Sequence, residues 1–454
     1  MTKKRNIYFI GIGGIGMSAL ARYFLALGYR VAGYDKTETT LTKKLVEEGV
    51  KIHYEDDLSL IDKAFKSHAH TLVIITPAIP ENHSEWNFFK EEGFEILKRA
   101  QVLGRITETN KSIGVAGTHG KTTISSMISY IFKYCKVPFT AFLGGISKDL
   151  GSNYYYDTKS EITVIEADEY DRSFLELKPT IATVSAIDPD HLDIYGTQEE
   201  MQKTFKQYLD KNIQKNGIGI IHNSLTKILG NHHKTYSLED VSADYHALNF
   251  RVENAEFLAD FKWLGGEIKD VKIGLPGIHN MENALLAFAV AIENGINPKL
   301  IKEALGNYSG VERRFDVHIK SNDLIYIDDY AHHPEEIKKL VNSVRKMYPK
   351  KDILGIFQPH LFSRTLDFAD GFARSLELLD ELLLLEIYPA RELPIPGVDS
   401  RMLFDQINMN SKTLCSKKEL TSYVSASKCN VVLTIGAGDI GAEVENLKKF
   451  LLKH

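Results

Sequence analysis

Residues 113–123, IGVAGTHGKTT, place a short apolar strand directly before glycines and then Lys-Thr-Thr. A backbone that turns through glycine aims its N–H groups at phosphate oxygens. Gly114, Gly117 and Gly120, with Thr118, His119 and Thr123 alongside, therefore form a candidate cradle for nucleotide phosphates. Lys121 is spaced to reach the β- and γ-phosphates, and the Thr122 hydroxyl to ligate Mg²⁺. Ile124, Met127, Ile128, Ile131 and Phe132 follow at helical spacing. They predict a helix whose positive end faces the same phosphates. The strict pattern G-x-x-x-x-G-K-[ST] would put glycine at 115, where this chain has Val115, so the match is a variant. The competing reading is a glycine-rich turn with a solvated lysine.

Acid lies further along. An apolar run at 162–167 leads into Glu166, Asp168, Glu169 and Asp171, and another at 180–187 into Asp188, Asp190, His191 and Asp193. Carboxylates at the ends of strands beside a phosphate loop are where a nucleotide's Mg²⁺ is held. Solvated acidic loops and a surface histidine are the plainer alternatives.

A second glycine turn opens the chain. Asn6–Ile10 reads as a buried strand, followed by Gly11, Ile12, Gly13, Gly14, Ile15 and Gly16, and then by Met17, Leu20, Ala21, Phe24 and Leu25 at helical spacing. This is G-x-G-x-x-G in its proper strand-to-helix context. A following strand, Arg30–Tyr34, ends at Asp35, near the place of a Rossmann ribose acid. UDP, NAD and close helix–strand packing without a ligand all remain open from this segment.

The elements that must carry these groups are predicted as follows. Strands at 72–76 and 96–98 and a helix near 100–107 complete an N-terminal α/β unit. A helix at 201–209 and a strand at 218–221 extend the second unit, whereas 224–271 loses periodicity except for alternation around 250–261. Residues 275–280 cap an Ala- and Leu-rich helix at 281–294, with Asn280 and Asn283 at its start, suited either to hydrogen bonding a base or to capping. Arg313 and Arg314 mark the next boundary. A third α/β unit has a strand at 323–327 ending in Asp328, Asp329 and His332–His333, a helix from Glu335, a strand Ile353–Phe357 ending near His360, and apolar runs at 382–386 and Val431–Ile435. Polar residues at strand ends again mark the ligand-binding edge of an open sheet.

The whole chain sets bounds. Its 454 residues suit about three domains. A formal net charge of −5, with no clustered basic patch, argues against nucleic acid or an anionic membrane as partner. The three cysteines, Cys135, Cys415 and Cys429, lack disulfide or metal spacing and suit a reducing compartment. The apolar run 378–388 carries Asp380, Glu381 and Glu386 and is too short to span a bilayer, so a cytoplasmic protein is expected.

Taken together the motifs resemble the bacterial Mur ligases, on the branch that joins L-alanine to UDP-N-acetylmuramate. The likeness is carried by GIGGIGMSALA at 11–21, AGTHGKTT at 116–123, EADEYDRSFL at 166–175, DHLDIYG at 190–196, GIHNMEN at 277–283, ERRFD at 312–316, DDYAHHPEE at 328–336 and FQPHLFSRT at 357–365. It implies an α/β protein of three domains: a Rossmann-like UDP-sugar domain at 1–107, a central P-loop ATPase-type domain at 108–311 and a Rossmann-like amino-acid domain at 312–454. It implies ATP and Mg²⁺, with Mn²⁺ able to substitute, and an acyl phosphate on the lactyl carboxylate that the alanine amine attacks.

Residue by residue, the resemblance gives Lys121 and Arg314 to phosphate, Thr122, Glu166 and His191 to the metal, and Asn280 and Asn283 to adenine. It gives Asp328 or Asp329 to the ribose, Gly11–Gly16 to the UDP diphosphate, and His360 and Arg364 to the alanine. Two positions depart from the family pattern. Ala186 stands where many relatives have asparagine, and Leu361 follows His360 where arginine is usual. Some relatives carry a carbamylated lysine, for which Lys203 and Lys206 are the nearest in the chain. The alternatives are a ligase of the same superfamily that recycles a preformed peptide, a nicotinamide-dependent oxidoreductase, and a non-catalytic nucleotide-controlled module.

Overall fold

The structure, a computed structural model, describes residues 5–77, 79–188, 192–253, 256–390 and 392–453. The described residues form three β-sheets flanked by helices. The first is parallel, in the order Lys51–His53, Arg30–Tyr34, Asn6–Ile10, Thr71–Ile75, Glu95–Lys98. Its order reverses beside Asn6–Ile10, so the glycine turn after that strand opens at the switch point, where such sheets bind ligands.

The second sheet has ten strands. At its centre Lys111–Ala116 runs parallel between Ile162–Glu166 and Ile181–Val184, which brings the phosphate loop and both acidic strand ends to one edge. Phe139–Ser147 lies parallel beyond Ile162–Glu166 and pairs antiparallel with Ser152–Tyr156. On the other side come Ile218–His222, Lys234–Ser237, Tyr245–Glu253, Glu256–Trp263 and Gly266–Lys272. The last strands fall in the stretch where periodicity faded. Gly266–Lys272 is exposed at most positions, so burial writes no alternation into it.

Compactness divides the chain into two units: Met1–Leu248 with Asp260–Lys269 and Asn283–Tyr308, and Asn249–Ala259 with Asp270–Glu282 and Ser309–His454. In the first unit one apolar core joins the first two sheets, running from Ile7, Phe9, Met17, Leu20 and Phe24 to Phe142, Tyr154, Phe174 and Tyr208. The helix Ile15–Ala26 makes this join. Its Arg22, 8% exposed, donates from Nε to Glu48 Oε2 at 2.7 Å and from Nη1 to Asn153 Oδ1 at 2.5 Å, while Asn153 Nδ2 donates to Ser18 Oγ at 3.0 Å. A buried guanidinium is tolerable because these acceptors and the carboxylate replace water.

In the second unit the sheet order is Asp316–Lys320, Ile325–Asp329, Val431–Ile435, Ile353–Phe357, Glu381–Leu384, Lys412–Leu414, parallel except for the first strand. Asp328 and Asp329, expected just beyond a strand at 323–327, are instead its last two residues, in register with Thr434 and Ile435. The carboxylates survive inside the ladder because neighbouring donors meet them. The helix expected at 281–294 starts earlier, at Ile278. Asn280 therefore lies within its first turn rather than capping it, and its Nδ2 donates to Pro276 O at 2.6 Å.

Candidate functional site

In the first unit, Lys111–Ala116 delivers the chain into Gly117, at φ +133°, and Gly120, at φ +82°, the residue immediately before the helix Lys121–Tyr134. Both conformations favour glycine, and space demands it as well. A Cβ on Gly117 would lie 2.1 Å from Ser185 Oγ, and one on Gly120 would lie 2.6 Å from Asn283 Oδ1. Asn283 is thus brought against the phosphate loop. Gly114 does something else: it sits within the strand, and a Cβ there would strike the Tyr208 hydroxyl at 2.2 Å, so its smallness serves packing and not the cradle. The loop is braced by Thr118 N–H to Ala186 O at 3.0 Å, Ser185 Oγ to His119 O at 2.5 Å, and Asp188 N–H to Thr118 Oγ1 at 3.1 Å. Only the backbone carbonyl of Ala186 is used in that brace, which the departure from asparagine leaves untouched.

Lys121 is not solvated. Its Nζ donates to Gly117 O at 2.8 Å and to Glu169 Oε1 at 2.7 Å, with the lysine side chain 14% and the glutamate 1% exposed. Burial works to lower the lysine's pKa, but Glu169, Asp168 and Glu166 outweigh it, and the net shift is upward. Burial pushes Glu169 up to about 7, with Lys121 opposing. Its Oε2 is buried without a hydrogen-bond partner, while Tyr195 OH donates to its backbone carbonyl at 2.6 Å.

Glu166 closes the strand Ile162–Glu166, and its Oε2 accepts the Gly144 N–H at 2.9 Å. Thr122 is the second residue of the helix Lys121–Tyr134, and its hydroxyl and the Glu166 carboxylate are hard oxygen donors of the kind that suit Mg²⁺. His191, the third expected ligand, lies outside the described residues, as does Asp190. Lys203 and Lys206 pair with Glu200 at 3.6 Å and Asp210 at 3.1 Å on their own helix.

The turn Gly11–Gly16 is tied to the neighbouring strand by Gly11 and Ile12 N–H to Tyr34 O at 2.8 and 3.0 Å. Asp35 Oδ2 accepts the Gly13 N–H at 2.7 Å, so this acid shapes the turn. One residue here carried no sequence signal. Arg99 opens the helix Arg99–Thr109, lies so close to the turn that a Cβ on Gly16 would be 2.2 Å from its Nη1, and reaches Asp168 Oδ2 from Nη2 at 3.1 Å. Gly16, Arg99, Leu143, Glu166 and Asp168 line one cleft of about 100 Å³, which connects the glycine turn to the acidic strand end.

In the second unit Asp328 has no exposed surface. Arg313 Nε donates to its Oδ2 at 3.0 Å and Thr434 Oγ1 to its Oδ1 at 2.7 Å. Asp329, 9% exposed, accepts Phe315 N–H at 2.7 Å and Ala331 N–H at 2.8 Å, and burial pushes it up to about 6. Of the two aspartates, only Asp329 keeps exposed surface. Arg314 has its guanidinium 5.1 Å from the Tyr330 ring centre and 3.8 Å from Glu336 Oε1, partly open to solvent. Arg364, in the short helix Phe362–Asp367, is 9% exposed, and its charge is among those that help burial push nearby His332 down to about 4. His360 stacks on Tyr388 at 5.8 Å and lies 6.1 Å from His332, ring centre to ring centre. The Leu361 that follows it holds φ at +70°, an unusual angle for a branched side chain, with its N–H bound to Tyr388 O at 3.0 Å.

Comparison with known proteins covers nearly the whole chain. The family models described as Mur ligase family, catalytic domain, as Mur ligase middle domain, and as Mur ligase, glutamate ligase domain match residues 6–111, 115–291 and 313–438. A UDP-N-acetylmuramate–L-alanine ligase of Parabacteroides distasonis is 49% identical over 459 aligned positions, covering 100% of this chain and 98% of that one. One from Flavobacterium psychrophilum is 50% identical, covering 98% of each. The crystal structure of a UDP-N-acetylmuramate–alanine ligase from Thermotoga maritima superposes with a TM-score of 0.83 at 28% identity, over 99% of this chain and 100% of that one. A murein peptide ligase from Psychrobacter arcticus shares the fold, with a TM-score of 0.71 at 23% identity over 98% of each chain.

Proposed function

The chain belongs to the Mur ligase family, and from that premise we propose how its residues divide the work of joining L-alanine to UDP-N-acetylmuramate. It is an ATP-dependent ligase of peptidoglycan precursor synthesis. The observation that carries the substrate assignment is the near-half identity, along the full length, to ligases of that name. The chemistry asks for what the residues supply. A carboxylate is a poor electrophile, so the γ-phosphoryl group of ATP is transferred to the lactyl carboxylate, and the alanine amine displaces phosphate from the acyl phosphate.

Gly117–Thr123 hold the ATP phosphates through backbone N–H groups, and Lys121 neutralises the charge that develops between nucleotide and carboxylate. Asn283 stands at the loop's glycine, and with Asn280 it serves the nucleotide. Thr122, Glu166 and His191 would hold Mg²⁺, which would supply charge neutralisation at the phosphate oxygens. Gly11–Gly16 take the UDP diphosphate, with Arg99 as a further cation beside the turn. Arg314 serves phosphate and Asp329 the ribose. His360 and Arg364 receive the alanine carboxylate. The cytoplasm is the compartment that supplies ATP and fits the unpaired cysteines, and among the described residues no helix is long and apolar enough to cross a membrane.

Phosphate release measured with each substrate omitted in turn tests this reading. Release should require ATP, UDP-N-acetylmuramate and alanine together. Activity with a tripeptide in place of alanine would instead identify the recycling ligase, and tight NADH binding without sugar-nucleotide binding would revive the oxidoreductase.

A further inference from the structure

Away from the residues assigned to the reaction, Asp210, His232 and His233 come together in the first unit. Asp210 lies in the last turn of the helix Gln198–Asn212, and the two histidines immediately precede the strand Lys234–Ser237. One carboxylate oxygen and one ring nitrogen from each histidine all lie within 4.8 Å of one another. His232 Nε2 and Asp210 Oδ1 are 3.7 Å apart. Donors bound at about 2.1 Å around a tetrahedral ion stand roughly 3.4 Å apart, so small side-chain rotations close the set.

His233 supplies an independent sign. It is 8% exposed, and its Nε2 is buried without a hydrogen-bond partner. Its Nδ1 edge packs on Gly219, where a Cβ would come within 2.4 Å, which leaves Nε2 as the nitrogen open to a ligand. A buried ring nitrogen left unpaired is costly, and a cation satisfies it. The rings of His232 and His233 sit 3.9 Å apart, centre to centre, an arrangement unfavourable to two imidazolium ions but suited to two neutral ligands. A cation already attends the place: Lys206 Nζ is 3.1 Å from Asp210 Oδ2 and 3.4 Å from Leu229 O.

We propose that Asp210, His232 and His233 form a binding site for a divalent transition-metal ion of the Zn²⁺ class, separate from the Mg²⁺ of ligation, which clips the helix Gln198–Asn212 to the start of the strand Lys234–Ser237. Two imidazoles and one carboxylate, with water as a fourth ligand, favour Zn²⁺ over Mg²⁺ because nitrogen donors suit the softer ion. The Lys206 ammonium competes for the same carboxylate, so its removal strengthens the site.

The test uses the full-length protein stripped with EDTA and titrated with Zn²⁺ by calorimetry, and with Co²⁺ by visible absorption. Wild type should bind one Zn²⁺ at micromolar or lower concentration and give the d–d bands of a tetrahedral Co²⁺ site. His232→Ala and Asp210→Asn, changes at side chains 61% and 34% exposed that leave the fold intact, should each weaken binding at least tenfold. Lys206→Met should tighten it severalfold, and Glu166→Ala should leave it unchanged. Absence of Zn²⁺ binding in wild type overturns the proposal. So does affinity indifferent to His232→Ala and Asp210→Asn, failure of Lys206→Met to tighten it, or loss of the ion in Glu166→Ala.

Discussion

Lys121 and Glu169 form an ion pair, Nζ to Oε1 at 2.7 Å, in which the lysine proposed to bind phosphate is neutralised by a carboxylate 1% exposed. If Lys121 binds the ATP phosphates as proposed, they must displace Glu169 from it. The pair keeps a buried ammonium compensated, and a second bond from Lys121 Nζ, to Gly117 O, holds the lysine against the loop.

Lys121→Ala should lower turnover on the order of 10²–10³-fold, the range for one preorganised charge-stabilising group. It should also destabilise the first unit, because breaking a buried pair leaves Glu169 uncompensated, at a cost of up to about 3 kcal/mol. Lys121→Ala/Glu169→Gln should regain most of the stability and none of the turnover. Denaturant midpoints and steady-state rates on both variants check this; near-normal turnover in the single variant would remove Lys121 from the phosphate site.

Glu169→Gln should tighten ATP binding in the absence of the other substrates, by about tenfold if the displaced carboxylate costs ATP about 1.4 kcal/mol. Calorimetry with a non-hydrolysable ATP analogue reads it directly. Unchanged affinity means that Glu169 moves aside without cost.

Glu166→Ala and His191→Ala should each raise the Mg²⁺ concentration for half-maximal activity, with Mn²⁺ rescuing Glu166→Ala the better because the remaining imidazole prefers the softer ion. Titration of activity against each metal decides. If both variants keep the wild-type metal dependence, Glu166 and His191 do not hold the metal.

His279, at the start of the helix Ile278–Glu293, is pushed down to about 4 by burial, with Lys339 and Arg314 adding to the effect and Glu282 and Glu336 opposing it. The folded state thus holds it neutral while the unfolded chain protonates it near 6.5. Stability from this group is complete above pH 6.5 and is lost as pH falls towards 4, by up to about 3 kcal/mol. His279→Gln should lose correspondingly less stability between pH 7.5 and 4.5 in denaturant unfolding. An equal loss in variant and wild type shows that His279 is solvated.

The parts of the site legible in sequence were those written locally. Gly117, Gly120 and Lys121 follow a strand within a few residues, and Gly11–Gly16 do the same, so strand-to-helix grammar suffices to find both. What was not legible depends on residues distant in the chain. Glu169 reaches Lys121 across 48 positions and Arg99 reaches Asp168 across 69, and neither pairing leaves a trace in local pattern. Asp328 reads only as an acid at a strand end, because no local pattern announces that Thr434 and Arg313 bind its carboxylate. The strand Gly266–Lys272 was hidden for a different reason: it is exposed at most positions, and no apolar alternation is written into it.

Arg364 bears on the departure at Leu361. An amino-acid carboxylate is best met by a planar guanidinium with two parallel donors. With leucine where relatives often have arginine, Arg364 is the arginine that remains in this motif, buried at 9% exposure and close enough to depress His332. Arg364→Lys preserves the charge and most of the packing but removes the fork. It should raise the KM for alanine by roughly 10- to 100-fold, as expected if about 1.5–3 kcal/mol of charged hydrogen bonding is lost, with much smaller changes in the ATP and UDP-N-acetylmuramate terms. The alternative is a purely structural arginine that pairs with a neighbouring acid such as Asp367 or Asp370. That role predicts a lower melting temperature with the alanine KM unaltered, because a packing residue changes how much enzyme is folded and not how the folded enzyme grips its amino acid. Steady-state kinetics with alanine varied at saturating ATP and sugar nucleotide, alongside thermal melting, separates the two. A wild-type alanine KM in Arg364→Lys would place the carboxylate contact on another residue.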